Sequence, residues 1–430
     1  MIKIIDCKNA DREQIFYRGQ TGPTAEIEKA VDDILENVRA RGDAAVLEYC
    51  EKFDGVKLDS LKVTPEEIEA AYTSAEPDFI ADLEKAAANI SKFHAKQMRN
   101  NFVITDEDGI VLGQRVLPME KVGLYVPGGT AAYPSSVLMN AIPAKIAGVS
   151  RIVMVTPPDR ETGGINPAIL TAARIAGVTD IYKMGGAQAI AALAYGTQSV
   201  PKVDKIVGPG NIFVATAKRK VFGLVDIDMI AGPSEILVIA DKTAAPRHVA
   251  ADMLSQAEHD KLATAVLVCD SMELARQVSE ELERQIPLLP REEIARASID
   301  NNGKIIVAAD LSEGIDIANE IAPEHLELAV EDPFKWLYAV KNAGSVFLGK
   351  NCPEALGDYW AGPNHTLPTL GTAKFSSPLS VDEFVKRSSF IYYTKDALGR
   401  AKNSIMNLAE HEQLHGHANS IAVRFEDNDD

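Results

Sequence analysis

The fold is decided by the stretch VGLYVPGG at 122–129, followed by SSVLMNAIPAKIAG at 135–148 and RIVMVTPP at 151–158. A short β-branched run, an Ala-rich run of helical length and a second β-branched run follow one another here. The pattern then repeats in PAILTAARIAG (167–177), DIYKMGG (180–186), AQAIAALAYG (187–196) and KIVGPGN (205–211). Strands and helices that alternate at this pace predict a parallel sheet with helices over its faces.

The same alternation returns further along the chain and predicts a second parallel sheet. Its β-branched runs are EILVIAD (235–241), TAVLVCD (264–270), KIIVAAD (304–310), HLELAV (325–330) and AGSVFLG (343–349). Between the two regions, Gly232 and Pro233 of DIDMIAGPSE break any regular element and mark a crossing between domains. The predicted fold class is therefore α/β, with two Rossmann-like parallel sheets, helices on both faces, and small helical segments at both termini.

The two ends of the chain do not show this alternation of strand-like and helical runs. Residues 1–100 are rich in charged, helix-favouring stretches with apolar residues at helical spacing, so we expect helices there. Near the C-terminus we expect one helix over about 396–410, a strand-like SIAVRF at 420–425, and a frayed acidic tail at 426–430.

The charge balance excludes some classes of partner. The 430 residues carry 44 Lys and Arg against 62 Asp and Glu, a net charge of −18. Nucleic acids and anionic membranes bind clustered basic residues, so small molecules are the expected ligands. We expect no signal peptide, because MIKIIDCKNADREQ at 1–14 lacks a long apolar core and a small-residue cleavage site, and no apolar run reaches the ~18 residues that a membrane helix needs. We expect a cytoplasmic protein, and a reducing cytosol suits four cysteines without redox or zinc spacing: Cys7, Cys50, Cys269 and Cys352.

Three glycine-rich turns follow predicted strands, where ligands collect in open α/β sheets. They are Gly128-Gly129, Gly185-Gly186 and the GPGN turn at 208–211. Glycine lets backbone amides approach a phosphate closely. The dinucleotide fingerprint fails, because Phe213 stands where its last glycine belongs, and no P-loop motif exists. Plain tight turns would explain any one of these loops, but three in one sheet favour a cofactor.

Three segments carry residues suited to chemistry. Gln256 and His259 lie three apart at the end of a helical run, where they could bind a metal or a polar ligand together, or merely face solvent. Glu324 and His325 precede a predicted strand and offer two proton-transfer groups, although a surface Glu-His pair is more common. The segment GDYWAGPNH at 357–365 is predicted to be a functional loop, with an acid, an amide and an imidazole among turn-forming residues.

The segment HEQLH at 411–415 matches the zinc-peptidase pattern HExxH, in which two histidines one helical turn apart hold zinc. The continuation found in metzincins is absent, and only about fifteen residues follow. A zinc metallopeptidase built on HEQLH therefore stands as the alternative function. An α/β ligand-binding protein without turnover is a third hypothesis.

The whole chain resembles the histidinol dehydrogenase family. The resemblance runs from RGD at 41–43 to the terminal helix and includes GLYVPGG, GGAQAIAALAYGT, VPKVDKIVGPGN, AGPSEILVIAD, LSQAEHD, PEHLE, GDYWAGPNHTLPT and FSSPLSVDEFVKR. It implies oxidation of L-histidinol through L-histidinaldehyde to L-histidine, with two NAD and one zinc ion per subunit of a homodimer with shared active sites.

The resemblance also implies roles for particular residues. It implies that His325 takes the hydroxyl proton and that Glu324 deprotonates a water molecule. The zinc ligands it implies are Gln256, His259, Asp358 and His417, the last from the partner subunit. Substrate contacts would come from Ser234, Glu412 and His325 together with those four ligands, and NAD contacts from Tyr125, Gln188 and Asn211. His411 and His415 match no ligand of the family, so HExxH is a coincidence around Glu412.

The resemblance further implies a domain organisation. Residues 1–24 form an N-terminal segment that joins the C-terminal part. Residues 25–124 and 236–380 form a discontinuous first α/β domain, and residues 125–235 form a second, NAD-binding α/β domain. Residues 381–430 form a dimerisation segment.

Overall fold

The structure is a computed structural model that describes residues 1–16, 22–128 and 132–426. The chain divides into two compact units. The first contains residues 1–97 and 119–384, and the second contains residues 98–118 and 385–426. No helix in the described residues is long and apolar enough to cross a membrane.

The strands and helices are numbered in chain order. The strands are β1 Lys3–Asp6, β2 Phe102–Ile104, β3 Ile110–Pro118, β4 Lys121–Tyr125, β5 Arg151–Thr156, β6 Asp180–Lys183, β7 Lys205–Val207, β8 Asp226–Ile227, β9 Glu235–Ala240, β10 Thr264–Cys269, β11 Lys304–Val307, β12 His325–Ala329, β13 Ser345–Leu348 and β14 Val385–Tyr393. The α-helices are α1 Arg12–Phe16, α2 Ala25–Arg41, α3 Asp43–Tyr49, α4 Pro65–Ser74, α5 Pro77–His94, α6 Pro134–Ala147, α7 Pro167–Ala176, α8 Gly186–Tyr195, α9 Ile212–Val221, α10 Pro246–Ala257, α11 Met272–Gln285, α12 Glu292–Asn301, α13 Leu311–Ile321, α14 Pro333–Leu337, α15 Glu354–Tyr359, α16 Lys395–His411 and α17 His415–Ala422.

Both predicted parallel sheets are confirmed. One has six strands in the order β1-β11-β10-β9-β12-β13, and the other has five in the order β6-β5-β4-β7-β8. Strands such as β9 and β12 are buried along their whole length, which explains their continuous apolar runs. The six-stranded sheet is covered on both faces, since two separate clusters of buried side chains use alternate residues of β9.

The helices between residues 25 and 94 pack with the five-stranded sheet. Val31, Leu35 and Val38 of α2 share a buried cluster with α8, and Ile68 of α4 and Ile90 of α5 share another with α6 and α7. These contacts group α2 to α5 with residues 125–235, whereas the boundaries expected above group residues 25–124 with the six-stranded sheet. The domain boundaries stay a prediction.

The second unit contains an antiparallel sheet that the sequence patterns do not predict. Its strand order is β14-β3-β2, and β14 pairs with β3 over nine residues from Val385 with Pro118 to Tyr393 with Ile110. The predicted terminal helix is confirmed as α16.

Three local expectations are wrong. SIAVRF is not a strand, because Ser420 to Ala422 complete α17 and Val423 to Phe425 form a 3-10 turn. The amino-terminal segment is not wholly helical, since β1 forms the edge of the six-stranded sheet. The segment at 357–365 is not entirely loop, because its first three residues lie in α15. The end of the acidic tail, 427–430, lies outside the described residues.

Candidate active site

Several predicted functional side chains meet at the amino ends of β9 and β12. These strands are parallel neighbours, and His325 pairs with Ile236, so Glu324 and Glu235 lie side by side at the strand starts. Helix α10 runs back between β9 and β10, which brings Gln256 at its last turn to the same edge. The carboxyl ends of strands were expected to carry the ligands. For the six-stranded sheet the candidate site lies at the opposite edge, because the end of α10 and the short α15 converge there.

His325 is held as a neutral imidazole with one nitrogen aimed into the site. Its side chain is buried, and burial lowers the pKa of the imidazole below its usual value. Nδ1 lies 3.0 Å from the carbonyl oxygen of Glu235, so we assign the ring proton to Nδ1, which donates to that carbonyl. Nε2 then keeps a lone pair, and it is buried with no hydrogen-bond partner among the described residues. The arrangement prepares Nε2 to accept a proton.

Gln256 presents an amide oxygen to the same space. Its Nε2 donates to Oε1 of Glu354 over 2.8 Å, whereas its Oε1 is buried without a hydrogen-bond partner in the described part of the chain. Buried polar atoms are normally satisfied, so two orphaned atoms on neighbouring side chains indicate a missing polar or metal ligand.

Glu354 was missed by the sequence reasoning. It is buried, it accepts from Ser255 Oγ over 2.6 Å, and its backbone N–H donates to Glu327 over 2.7 Å. Its position could have indicated a role, because Glu354 lies four residues before Asp358 and both carboxylates therefore lie on one face of α15.

The site concentrates acidic groups away from water. Burial raises the pKa of Asp358 to about 9, and the neighbouring Glu354 adds to the rise. Burial also raises the pKa of Glu324 well above its usual range, with further contributions from Glu235, Asp358 and Glu354. Buried carboxylates at this density require protons or a cation.

The site offers nitrogen and carboxylate donors of the kind that zinc accepts, and the tightest group of them shares only Asp358 with the zinc ligands that the family resemblance implies. One ligand atom each from His325, Glu354 and Asp358 lie within 4.8 Å of one another. The side-chain amide of Gln256 is adjacent, because its Nε2 lies 3.2 Å from Nδ1 of His325 and 2.8 Å from Oε1 of Glu354. His259 lies two residues beyond the end of α10, and its backbone N–H donates to the carbonyl oxygen of Gln256 over 3.1 Å. Nitrogen and carboxylate oxygen are ligands that zinc accepts.

His365 joins this site to the five-stranded sheet. Its Nδ1 donates to the backbone oxygen of Asp358 over 3.1 Å, and its Nε2 lies 3.3 Å from Oγ of Ser136 in the first turn of α6. Burial lowers the pKa of the His365 imidazole to about 4. A cavity beside His365 is lined also by His325 and Asp358.

The predicted cofactor residues follow strands of the five-stranded sheet. Tyr125 ends β4, and its hydroxyl accepts from the N–H of Gly186 over 3.1 Å. Gln188 is buried in the first turn of α8, and no described residue bonds its Oε1. Asn211 caps α9, since its Oδ1 accepts from the N–H groups of Phe213 and Val214. The first glycine turn is described only as far as Gly128, and Gly129 lies outside the described residues.

The other residues predicted to contact the substrate or the metal are Ser234, Glu412 and His417. Ser234 immediately precedes β9, and its carbonyl oxygen accepts from Thr264 over 3.0 Å. Glu412 and His417 belong to the second unit, where both are exposed.

The zinc-peptidase alternative does not match the geometry of HEQLH. Helix α16 ends at His411, Gln413 has a left-handed φ of 61°, and α17 begins at His415. The two imidazoles therefore do not share one helix face, which the HExxH mechanism requires.

Comparisons with known proteins agree with this architecture. The family model described as histidinol dehydrogenase matches residues 18–425. A histidinol dehydrogenase from Clostridium acetobutylicum is 56% identical over 428 residues, which cover 99% of each chain. One from Listeria monocytogenes serotype 4b is 57% identical over 407 residues, 95% of each chain. The crystal structure of histidinol dehydrogenase from Elizabethkingia anophelis matches with a TM-score of 0.93 at 39% identity, covering 99% of this chain and 98% of that one. The chain therefore belongs to the histidinol dehydrogenase family.

Proposed function

We propose that this protein is a zinc-dependent dehydrogenase that oxidises L-histidinol through L-histidinaldehyde to L-histidine and reduces two NAD. Its family membership supports an NAD-dependent enzyme acting on an alcohol. The single observation that carries the proposed chemistry is the neutral His325, whose unpartnered Nε2 is buried 3.9 Å from Oδ1 of Asp358.

The first oxidation needs a base for the hydroxyl proton, and we assign this role to His325. Its Nδ1 is committed to the Glu235 carbonyl, so only Nε2 is able to receive a proton. The charge of Glu354 favours the protonated ring once the proton has arrived, since it raises the pKa of His325 against the effect of burial. A positioned base of this kind contributes about 10²–10⁴ to the rate.

The second oxidation needs a base that activates water, and we assign this role to Glu324. Its Oε2 accepts from the N–H of Glu235 over 2.9 Å, which fixes the carboxyl beside His325. Burial raises its pKa, so the deprotonated form has a strong affinity for a proton from water.

We propose that Gln256, His259 and Asp358 hold zinc, with His417 of the partner subunit as the fourth ligand. Tyr125, Gln188 and Asn211 are proposed to contact NAD, and Ser234 and Glu412 the substrate. When bound, zinc supplies a positive charge that orients the imidazole and amino nitrogens of histidinol, and NAD supplies the hydride acceptor. The zinc ligands then serve the substrate as well, which keeps the aldehyde in place between the two steps.

We also propose a homodimer with shared active sites, in which residues 381–430 form the contact between subunits. A cytoplasmic location is proposed because all four cysteines are free thiols in this structure.

The overall reaction is tested by its stoichiometry. Purified protein with zinc, excess NAD and limiting L-histidinol is expected to form two NADH per substrate, measured at 340 nm. A yield of one NADH contradicts the four-electron reaction. Measurable histidinol binding with no NADH supports the ligand-binding protein without turnover instead.

The two assigned bases are tested by separate variants. His325→Ala is expected to lower the first oxidation about 10²–10⁴-fold. Glu324→Gln is expected to leave aldehyde formation largely intact and to stall the second step. Normal oxidation of supplied histidinaldehyde by Glu324→Gln would show that the second assignment is wrong. His411→Ala and His415→Ala serve as controls, because a zinc peptidase needs both imidazoles and the dehydrogenase needs neither.

The metal is tested by elemental analysis together with subunit mass in solution, before and after chelation. One zinc per subunit in a dimer is expected. Full activity in a protein that retains no metal would contradict zinc dependence.

A further inference from the structure

The segment after α3 carries a half-buried acid, Asp54, with no assigned role. Residues Cys50–Asp54 form a π-helical turn, which ends because Gly55 adopts a left-handed φ of 75°. At the end of this turn, Oδ2 of Asp54 is buried, and the described residues offer it no hydrogen-bond partner. A carboxylate oxygen in this condition is costly unless a ligand satisfies it.

Asp54 lies against the loop that follows β5. Arg160 in this loop donates to the backbone oxygen of Phe53 over 3.4 Å, and its charge acts on the Asp54 carboxylate. Val56 packs near Gly163 of the same loop, where a Cβ on the glycine would stand 3.1 Å from the Val56 side chain. The segment therefore covers the carboxyl end of β5.

The turn that carries Asp54 also lies at the carboxyl end of β6, because Sγ of Cys50 lies 3.7 Å from the carbonyl oxygen of Lys183, the last residue of that strand. The second glycine turn follows this strand, and the N–H of Gly186 there donates to the hydroxyl of Tyr125. Two more buried polar atoms without a partner in the described chain belong to this edge of the sheet, Oγ1 of Thr156 and Oε1 of Gln188. Thr156 ends β5 beside Gly128, whose added Cβ would lie 3.3 Å from its hydroxyl. Three unsatisfied oxygens on segments that meet at the carboxyl ends of β5 and β6 indicate that a polar ligand is missing there.

In dinucleotide-binding sheets, an acid after the second strand accepts a hydrogen bond from the ribose. Here the second strand is β5, and the acid that follows it is Asp159. Its Oδ1 already accepts from Glu161 N–H at 3.1 Å, Thr162 N–H at 2.9 Å and Thr162 Oγ1 at 3.0 Å, so it holds its own loop together. A ribose acceptor has to come from another segment.

We propose that Asp54 accepts hydrogen bonds from the ribose hydroxyls of the adenosine half of the cofactor, and that its negative charge rejects the 2′-phosphate of NADP. This inference rests on the proposed use of NAD. Burial raises the pKa of Asp54 to about 6 and Arg160 opposes the rise, so the carboxylate is mostly ionised at neutral pH. Asp54 is then a residue that determines cofactor specificity.

The test is an equilibrium fluorescence titration of the metal-loaded, full-length enzyme with NADH and, separately, with NADPH, without substrate. Wild type is expected to bind NADH at least tenfold more tightly than NADPH. Asp54→Asn is expected to weaken NADH about tenfold and to bind NADPH as well as or better than wild type, since a charged hydrogen bond is lost and a repulsion is removed. Asp54→Ala should change the preference in the same direction.

Controls separate this role from structural damage. Asp54→Asn removes an unpaired buried charge and should melt at or above the wild-type temperature. Asp59→Asn, an exposed acid of the same segment, should leave both dissociation constants unchanged. An equal loss of NADH and NADPH affinity in both Asp54 variants, or an unchanged ratio, would overturn the assignment while leaving the proposed function intact. A wild-type enzyme that binds neither dinucleotide would overturn both.

Discussion

Replacing Lys218 by Met should destabilise the protein strongly through the turn that begins at Gly208. The Lys218 ammonium donates to the carbonyl oxygen of Gly208 over 3.0 Å and pairs with Asp228. Asp228 in turn accepts from the N–H of Gly208 over 2.7 Å. The two side chains are 2% and 1% exposed, so the ion pair is desolvated. Both backbone polar groups of Gly208 are thus held by one buried pair.

The magnitude follows from the charge left behind. Removing one partner of a buried ion pair costs about 3–5 kcal/mol. Asp228 keeps two backbone donors, from Gly208 and Met229, so we expect the lower end, about 3 kcal/mol. That corresponds to a fall in melting temperature of roughly 6 °C. NADH affinity should fall as well, because the same turn continues to Asn211.

The assay is thermal unfolding followed by circular dichroism, together with NADH titration. Lys220→Met is the matched control on the same helix. Its ammonium pairs with Glu28 at 2.7 Å and Asp32 at 2.8 Å, but it is 22% exposed, and a pair in that setting contributes about 0–1 kcal/mol. Equal losses of stability in the two variants, or an unaffected Lys218→Met, would refute the reasoning from burial.

Three further outcomes are expected. Gly208→Ala should be far more damaging than Gly223→Ala in the same melting experiment, because both have positive φ, 111° and 97°, but only at Gly208 would a Cβ meet a backbone oxygen, at 2.1 Å. Lowering the pH should destabilise wild type more than the variant His365→Asn. The pKa of His365 in the folded protein is about 4, below the usual 6.5, so the contribution of this imidazole to the free energy of unfolding is complete above pH 6.5 and is lost as the pH falls towards 4. Urea unfolding should show a loss of roughly 3 kcal/mol over this range. Burial raises the thiol pKa of Cys50 to about 12 and that of Cys269 to about 11, so a thiol reagent at pH 8 should label these two only after unfolding; mass spectrometry that finds them labelled in native protein would contradict their burial.

Much of the fold could be predicted from the sequence because parallel strands are buried on both faces and therefore have continuous apolar runs. The runs beginning at Val122, Arg151, Glu235 and Thr264 all became strands. The prediction of a strand at SIAVRF was wrong because a short apolar run is equally compatible with a helix. The helix that forms there, α17, has Ala418 as its one buried residue. The antiparallel sheet could not be predicted because β2 is exposed along its whole length and does not alternate apolar with polar residues.

The candidate site was less predictable than the fold. Gln256, His325 and Asp358 were found through their motifs, and the structure brings them together. Glu354 and Asp54 carried no motif, since their significance comes from burial and from missing hydrogen-bond partners. Those properties depend on contacts between distant segments, such as the hydrogen bond from Gln256 to Glu354. Local sequence patterns contain no information of that kind.

The placement of His325 as the first residue of β12 bears on how this enzyme could be altered. Because the backbone of His325 is paired with β9 on one side and β13 on the other, it is held rigidly, and its imidazole should keep its position whichever substrate is bound. The opposing wall, α15 and the segment up to His365, belongs to no sheet and has no strand paired on either side. Efforts to accept a different amino alcohol should therefore vary that wall and leave the strand untouched.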